Sequence, residues 1–284
     1  MTETYIFFPR LDLSVDRRYR PRPSTGRPPA PWCRESTIPM TFCCALKCRD
    51  GIVALADTQI VRGSEQVNKS KLAILHDRGE SFFIMTSGLR SVRDKLMIYA
   101  EEAIAGSDVG CERLYQAANL FGTQMQRIRE EDGSSLKAAN LPFNAHAIIG
   151  GWLAGDSEPS LFYLYPEGNW IEVDVDSPWF MIGRSSYGKP ILDRQMRVDV
   201  SLERATALAL LAFDATQTSV TDVDYPIDML TLASADRETR QARFSRETLA
   251  PATDDWHTRL AEALDALPMD WADSLVAPGG RRPD

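Results

Sequence analysis

An α+β fold, a four-layer αββα sandwich, is what the order of hydrophobic patterns predicts. Four strands come first, then two helices, four strands, two helices, two strands and a last helix. Strands that arrive in hairpin pairs favour antiparallel sheets. Helices that arrive in pairs cover an outer face instead of crossing between parallel strands, so a doubly wound sheet is not expected. No internal repeat and no second domain is needed to account for the pattern.

The elements follow in chain order. Thr41–Cys48 and Ile52–Asp57 are apolar runs of strand length, joined by Arg49-Asp50-Gly51, where Asp-Gly favours a primed hairpin turn. After a polar loop, Lys71–His76 and Ser81–Thr86 form a second hairpin about Arg78-Gly79. Gly88 ends that sheet. Leu96, Ala100 and Ile104 mark a first helix, and Leu114, Ala117, Ala118, Phe121, Met125 and Ile128 keep a 3.6-residue stripe in a second. Strands are expected at His146–Leu153, Ser160–Tyr165, Trp170–Val175 and Trp179–Ile182, with Pro166-Glu167-Gly168-Asn169 turning the middle pair. Helices over Tyr187–Met196 and Leu202–Phe213, strands at Ile227–Leu232 and Gln241–Phe244, and a helix over Trp256–Leu267 complete the domain.

Composition excludes several functions. The 284 residues are 44% hydrophobic and 25% charged, with a net charge of −8, so no basic footprint for nucleic acid is expected. No apolar run approaches the roughly 18–20 residues of a membrane helix. Residues 1–40 differ from the rest: seven of the 17 prolines and seven arginines against four acids lie there. Proline removes backbone donors and resists helix and sheet interiors, so this stretch is expected to be a disordered extension, either a propeptide or a mis-assigned start. Tyr5-Ile6-Phe7-Phe8 is too short for the apolar core of a signal peptide. The domain is expected over residues 41–268, and residues 269–284 as a loose tail. Five cysteines without a secretory signal point to reduced thiols in a cytoplasmic protein. Cys43, Cys44 and Cys48 raise the question of a metal, but adjacent Cys43 and Cys44 on a strand face opposite ways, and buried apolar packing is the better reading.

The usual catalytic signatures are absent. His76, His146 and His257 accompany no nucleophile elbow, and no Walker loop, dinucleotide fingerprint or zinc motif occurs. That directs attention to the domain's own beginning, Met40-Thr41. If the chain starts at Met40, Thr41 is small enough for methionine removal. A free α-amine has a pKa of about 7.7–8.0 and can serve as base toward its own hydroxyl.

A Thr-led strand, Asp57 closing the second strand and Lys71 opening the third resemble the proteasome β-type N-terminal-nucleophile hydrolases. Thr41-Phe42-Cys43-Cys44-Ala45-Leu46, Met85-Thr86-Ser87-Gly88-Leu89-Arg90-Ser91-Val92-Arg93, Tyr165-Pro166-Glu167-Gly168-Asn169-Trp170, Ser186-Tyr187-Gly188-Lys189-Pro190 and Asp222-Val223-Asp224-Tyr225-Pro226-Ile227-Asp228 are similar to the Anbu group, the bacterial ancestral β-subunit-like homologues. The likeness spans roughly Met40–Leu267. It implies Thr41 as nucleophile, Asp57 as the carboxylate that holds Lys71, and Lys71 as the cation that lowers the proton affinity of Thr41. It also implies Gly88 as oxyanion donor, with Ser185 and Asp222 keeping amine and water in position. Lys69 offers a second ammonium near the same strand start, and Ser185 also reads as a helix N-cap. A cleaved β propeptide normally presents Gly before the threonine, whereas Met40 stands here.

The activity implied is hydrolysis of peptide or protein amide bonds through an acyl-enzyme, without metal or organic cofactor. It would take place in a homo-oligomer that is open-ring or helical, with no nucleic acid or membrane as partner. A small-amide, γ-glutamyl-type hydrolase and a catalytically weak scaffold of the same fold are the alternatives.

Overall fold

Alternation along the first strand already sorts side chains into two apolar layers, and the computed structural model shows both. It describes residues 41–62, 65–108, 110–272 and 275. The expectations for residues 1–40, including Cys33, and for most of the tail lie outside the described residues.

Strands β1 (Phe42–Cys48), β2 (Gly51–Asp57), β3 (Gln59–Arg62), β4 (Glu65–Asn68), β5 (Leu72–Asp77) and β6 (Glu80–Ser87) lead into helices α1 (Arg90–Ala105) and α2 (Leu114–Ala138). Then come β7 (His146–Gly151), β8 (Ser160–Leu164), β9 (Trp170–Glu172) and β10 (Trp179–Gly183), followed by α3 (Ser185–Gln195) and α4 (Leu202–Ser219). Finally β11 (Ile227–Ala233), β12 (Thr239–Phe244) and α5 (Arg246–Asp265) close the domain. One sheet has the order β10-β1-β2-β11-β12 and the other β5-β6-β7-β8-β9, each antiparallel throughout.

Three apolar layers hold the sandwich. Phe42, Cys44 and Leu46 face the helix pair α3–α4 with Phe213 and Leu208. Cys43 and Ala45, on the other face of the same strand, meet Phe83, Met85 and Ile148 between the sheets. Phe82, Ile84 and Ile149 pack on α1 and α2 through Leu96, Phe121 and Met125. The αββα order read from the sequence is the observed one. Cys43 and Cys44 do face opposite ways, and burial pushes the Cys43 thiol up to about 12, which keeps it a neutral apolar group. Among the described residues no helix is long and apolar enough to cross a membrane.

Several details depart from expectation. The polar loop before β5 contains a two-stranded ribbon, β3–β4, with Gln59 paired to Asn68. A ribbon that leaves Val67 half exposed needs no apolar alternation, so hydrophobic pattern could not reveal it. The first hairpin turns on Arg49 and Asp50, between the paired Cys48 and Gly51. Gly51 is the first strand residue, not part of a primed turn. Its φ is +141°, and a Cβ there would lie 2.0 Å from the Leu232 carbonyl oxygen, so the glycine serves close approach of β11. The primed geometry is found instead at Arg78 and Gly79, both at positive φ. Helix α5 starts ten residues before Trp256, because Ser245 caps it by accepting the Thr248 N–H. Pro251, which reads as a break, sits inside it. In the tail, Asp270–Ala272 form one 3₁₀ turn that buries Ala272.

Candidate active site

The β1–β2 register brings the start of one strand beside the end of the other. Cys43 pairs with Ala56, so Thr41 and Phe42 reach Asp57 at the next step. The Phe42 N–H donates to Asp57 Oδ1 at 2.7 Å, and the Thr41 hydroxyl donates to the same oxygen at 3.1 Å. Lys71, just before β5, crosses from the second sheet and donates to both carboxylate oxygens, at 2.7 and 2.8 Å. All three side chains are buried, Asp57 completely. Burial pushes the Asp57 carboxyl up; Lys71 is the strongest opposing influence, aided by the Phe42 N–H and the Thr41 hydroxyl. A charge pair taken out of water needs further hydrogen bonds to offset its desolvation, and here Asp57 Oδ1 also accepts from the Phe42 N–H and the Thr41 hydroxyl.

Thr41 is fixed at its carbonyl as well. The Arg184 N–H donates to that oxygen at 2.7 Å, and the Arg184 guanidinium forks onto the Asp222 carboxylate at 2.6–3.2 Å. Gly183, opposite Phe42, has φ +89°, and a Cβ there would lie 1.9 Å from the Thr41 carbonyl oxygen and 2.6 Å from its methyl carbon. Gly183→Ala is therefore expected to cost at least about 2 kcal/mol in urea unfolding and to displace Thr41. An unchanged midpoint would refute this reading of the contact.

The other expected site residues are placed as follows. Gly88 follows β6 with φ +104°, and a Cβ would clash with the Asn144 carbonyl oxygen at 2.3 Å. The neighbouring Leu89 N–H donates to Asn144 Oδ1 at 3.1 Å, and the Thr86 N–H donates to the Lys71 carbonyl at 3.2 Å, which sets this strand end beside Lys71. Asp222 reaches Thr41 only through Arg184. Ser185 is the first residue of α3; the cap position is Arg184, without a side-chain cap bond, so the N-cap reading of Ser185 is corrected. Lys69, the alternative cation, pairs with Asp94 at 3.3 Å and is exposed, which leaves Lys71 as the ammonium on Asp57.

Sequence reasoning missed Gly183, Arg184 and Arg93. A glycine between an apolar strand and a helix was the available signal for Gly183. Arg93 closes the Met85–Arg93 segment that carries the resemblance, but no role was assigned to it; it donates through Nε to the Thr86 hydroxyl at 3.0 Å. Among the described residues no cluster of histidine, cysteine and carboxylate side chains could hold a metal ion.

The family model described as "Proteasome subunit" matches residues 41–231. The chain belongs to the proteasome subunit family. Within that family it is similar to solved Anbu structures. An Anbu (Gly-1) mutant from Hyphomicrobium sp. strain MC1 is 31% identical with a TM-score of 0.73, covering 80% of this chain and 98% of that one. Anbu from Pseudomonas aeruginosa, described as a helical assembly, is 27% identical with a TM-score of 0.74, covering 80% and 97%. Anbu from Yersinia bercovieri is 26% identical with a TM-score of 0.71, covering 80% and 98%. No curated protein sequence matches the chain. This proteasome-family subunit thus has an Anbu-like fold of N-terminal-nucleophile hydrolase type, and its family match begins at Thr41.

Proposed function

We propose that a chain whose amino terminus is Thr41 is a threonine-type hydrolase of peptide or protein amide bonds. The observation that carries this reading is the Thr41 hydroxyl 3.1 Å from the fully buried Asp57 carboxylate, both of whose oxygens accept from the Lys71 ammonium. The Lys71 ammonium favours the ionised form of its surroundings, which makes loss of the Thr41 proton easier. The free α-amine takes that proton, and Oγ1 attacks the carbonyl carbon to give a tetrahedral oxyanion, for which the Gly88 N–H is the donor. The amine returns the proton to the leaving nitrogen, and water then hydrolyses the acyl ester at Thr41. Arg184 and Asp222 act as positioning residues by holding the Thr41 carbonyl.

The helical assembly described for the Pseudomonas aeruginosa relative supports self-association of this chain in an open arrangement. Among the described residues the cysteines are free thiols, in keeping with a cytoplasmic protein.

The test is an acylating probe on protein shown by intact mass to begin at Thr41. Labelling confined to Thr41, and absent in Thr41→Ala, is the expected result. An unlabelled protein with a free Thr41 amine would sink the hydrolase reading in favour of a scaffold.

A further inference from the structure

The apolar layer between the sheets has two ends. Thr41, Asp57 and Lys71 stand at one, where β2 ends and β5 begins. At the other end, the β5–β6 hairpin, the residue after β7 and the β11–β12 turn surround a pocket of about 400 Å³. Ile74 and Leu232, both part of the inter-sheet layer, supply apolar lining. Glu80, Trp152 and Arg237 line it as well.

Two opposite charges thus line one pocket, and neither has an ion-pair partner among the described residues. The Arg237 guanidinium sits over the Trp152 ring, 3.8 Å from its centroid. That ring is itself held, because its Nε1–H donates to the Asp156 carbonyl at 3.0 Å. The carboxylates beside Arg237 in the turn, Asp236 and Glu238, are both taken by Arg240. On the facing hairpin, Arg78 donates to the Ser107 and Asp108 carbonyls at 2.9 and 2.6 Å, which leaves Glu80 unpaired. Arg237 and Glu80 are not paired with each other either. A guanidinium already settled on an aromatic ring loses little freedom on taking up a ligand, and its planar fork matches a carboxylate.

We propose that this pocket binds a free α-amino acid with an apolar side chain. The ligand's carboxylate meets Arg237, its ammonium meets Glu80, and its side chain covers Ile74 and Leu232. A lone anion would satisfy Arg237 and be repelled by Glu80; a lone cation would suffer the reverse. Only a molecule carrying both charges answers both residues. A longer peptide would lay its amide groups against Ile74 and Leu232, which offer them no hydrogen bond. The volume is in the range of small-ligand sites, in which a few polar groups orient an apolar body. This site lies away from Thr41 and does not rest on the hydrolase reading.

The experiment is equilibrium dialysis of the full chain at pH 7 against three ligands, each quantified by mass spectrometry. L-leucine is expected to bind saturably at millimolar concentration or below. 4-Methylpentanoate, which lacks the ammonium, and L-leucinamide, which lacks the carboxylate, are each expected to bind at least about tenfold more weakly. Arg237→Met should weaken L-leucine at least about tenfold and leave L-leucinamide little changed. Glu80→Gln should remove the preference for L-leucine over 4-methylpentanoate. Absence of saturable L-leucine binding at millimolar concentration overturns the proposal. Equal binding of the three ligands overturns it too, since the pocket would then be an apolar crevice only. If Arg237→Met fails to fold, the ranking of the three ligands on the unsubstituted protein still decides.

Discussion

Lys71→Met is expected to destabilise the domain by about 3–5 kcal/mol and to abolish probe labelling at Thr41. The substitution keeps the volume but leaves the Asp57 carboxylate buried without its cation, and breaking a buried pair from one side costs that much. Asp57 also accepts from the Thr41 hydroxyl and the Phe42 N–H, so its reorganisation reaches the nucleophile directly. The pH dependence has a definite sign. Burial raises the Asp57 carboxyl and Lys71 opposes that, so without Lys71 the folded-state pKa lies still further above the unfolded value of about 3.9. A carboxyl with a raised folded-state pKa favours the fold at low pH and withdraws that support as pH rises. The deficit of Lys71→Met is therefore narrower near pH 4 than at pH 7. Urea midpoints at the two pH values check it, and a deficit independent of pH would contradict the account. Replacing both partners, Asp57→Asn with Lys71→Met, should recover part of the stability but none of the labelling.

Retaining residues 1–40 is expected to lower the rate of Thr41 acylation by about 10²–10⁴-fold relative to a chain that begins at Thr41. An α-amine with a pKa of about 7.7–8.0 is a usable base at neutral pH, whereas an amide nitrogen bonded to Met40 is not. Nothing in the Asp57–Lys71 grip depends on that amine. Extended and shortened proteins should therefore share one urea midpoint for the domain while differing in labelling, which separates chemistry from folding. Intact mass must accompany the rates, since self-removal of the extension would mimic a reactive extended chain. Equal labelling of two proteins of confirmed mass would show that the amine is not the base.

Much of this was legible in the residues, and the reasons are local. Period-2 alternation sorted Cys43 from Cys44, and period-3.6 stripes marked α2, because burial of one face leaves its mark on every second or every third to fourth residue. Thr41 and Asp57 could be brought together from the length of one hairpin, since an antiparallel register is fixed by the turn that closes it, whereas Lys71 was singled out by the family resemblance. The β3–β4 ribbon left no mark, because strands that bury little carry no hydrophobic period. The start of α5 was obscured by Pro251, which reads as a break although the Ser245 cap lies before it.

The sequence by itself determined the order of the helices and of the strands in the two five-stranded sheets, the αββα layering, and Thr41 and Asp57 of the buried grip. Only the tertiary structure decided which ammonium reaches Asp57, Lys71 and not Lys69, because that depends on how the two sheets stack face to face. It likewise decided that Asp222 touches Arg184 and not Thr41, that Gly183 leaves room for the Thr41 carbonyl, and that Arg93 anchors on the Thr86 hydroxyl. Such contacts join residues from different hairpins and helices, and no periodicity or spacing along the chain encodes the distance between layers.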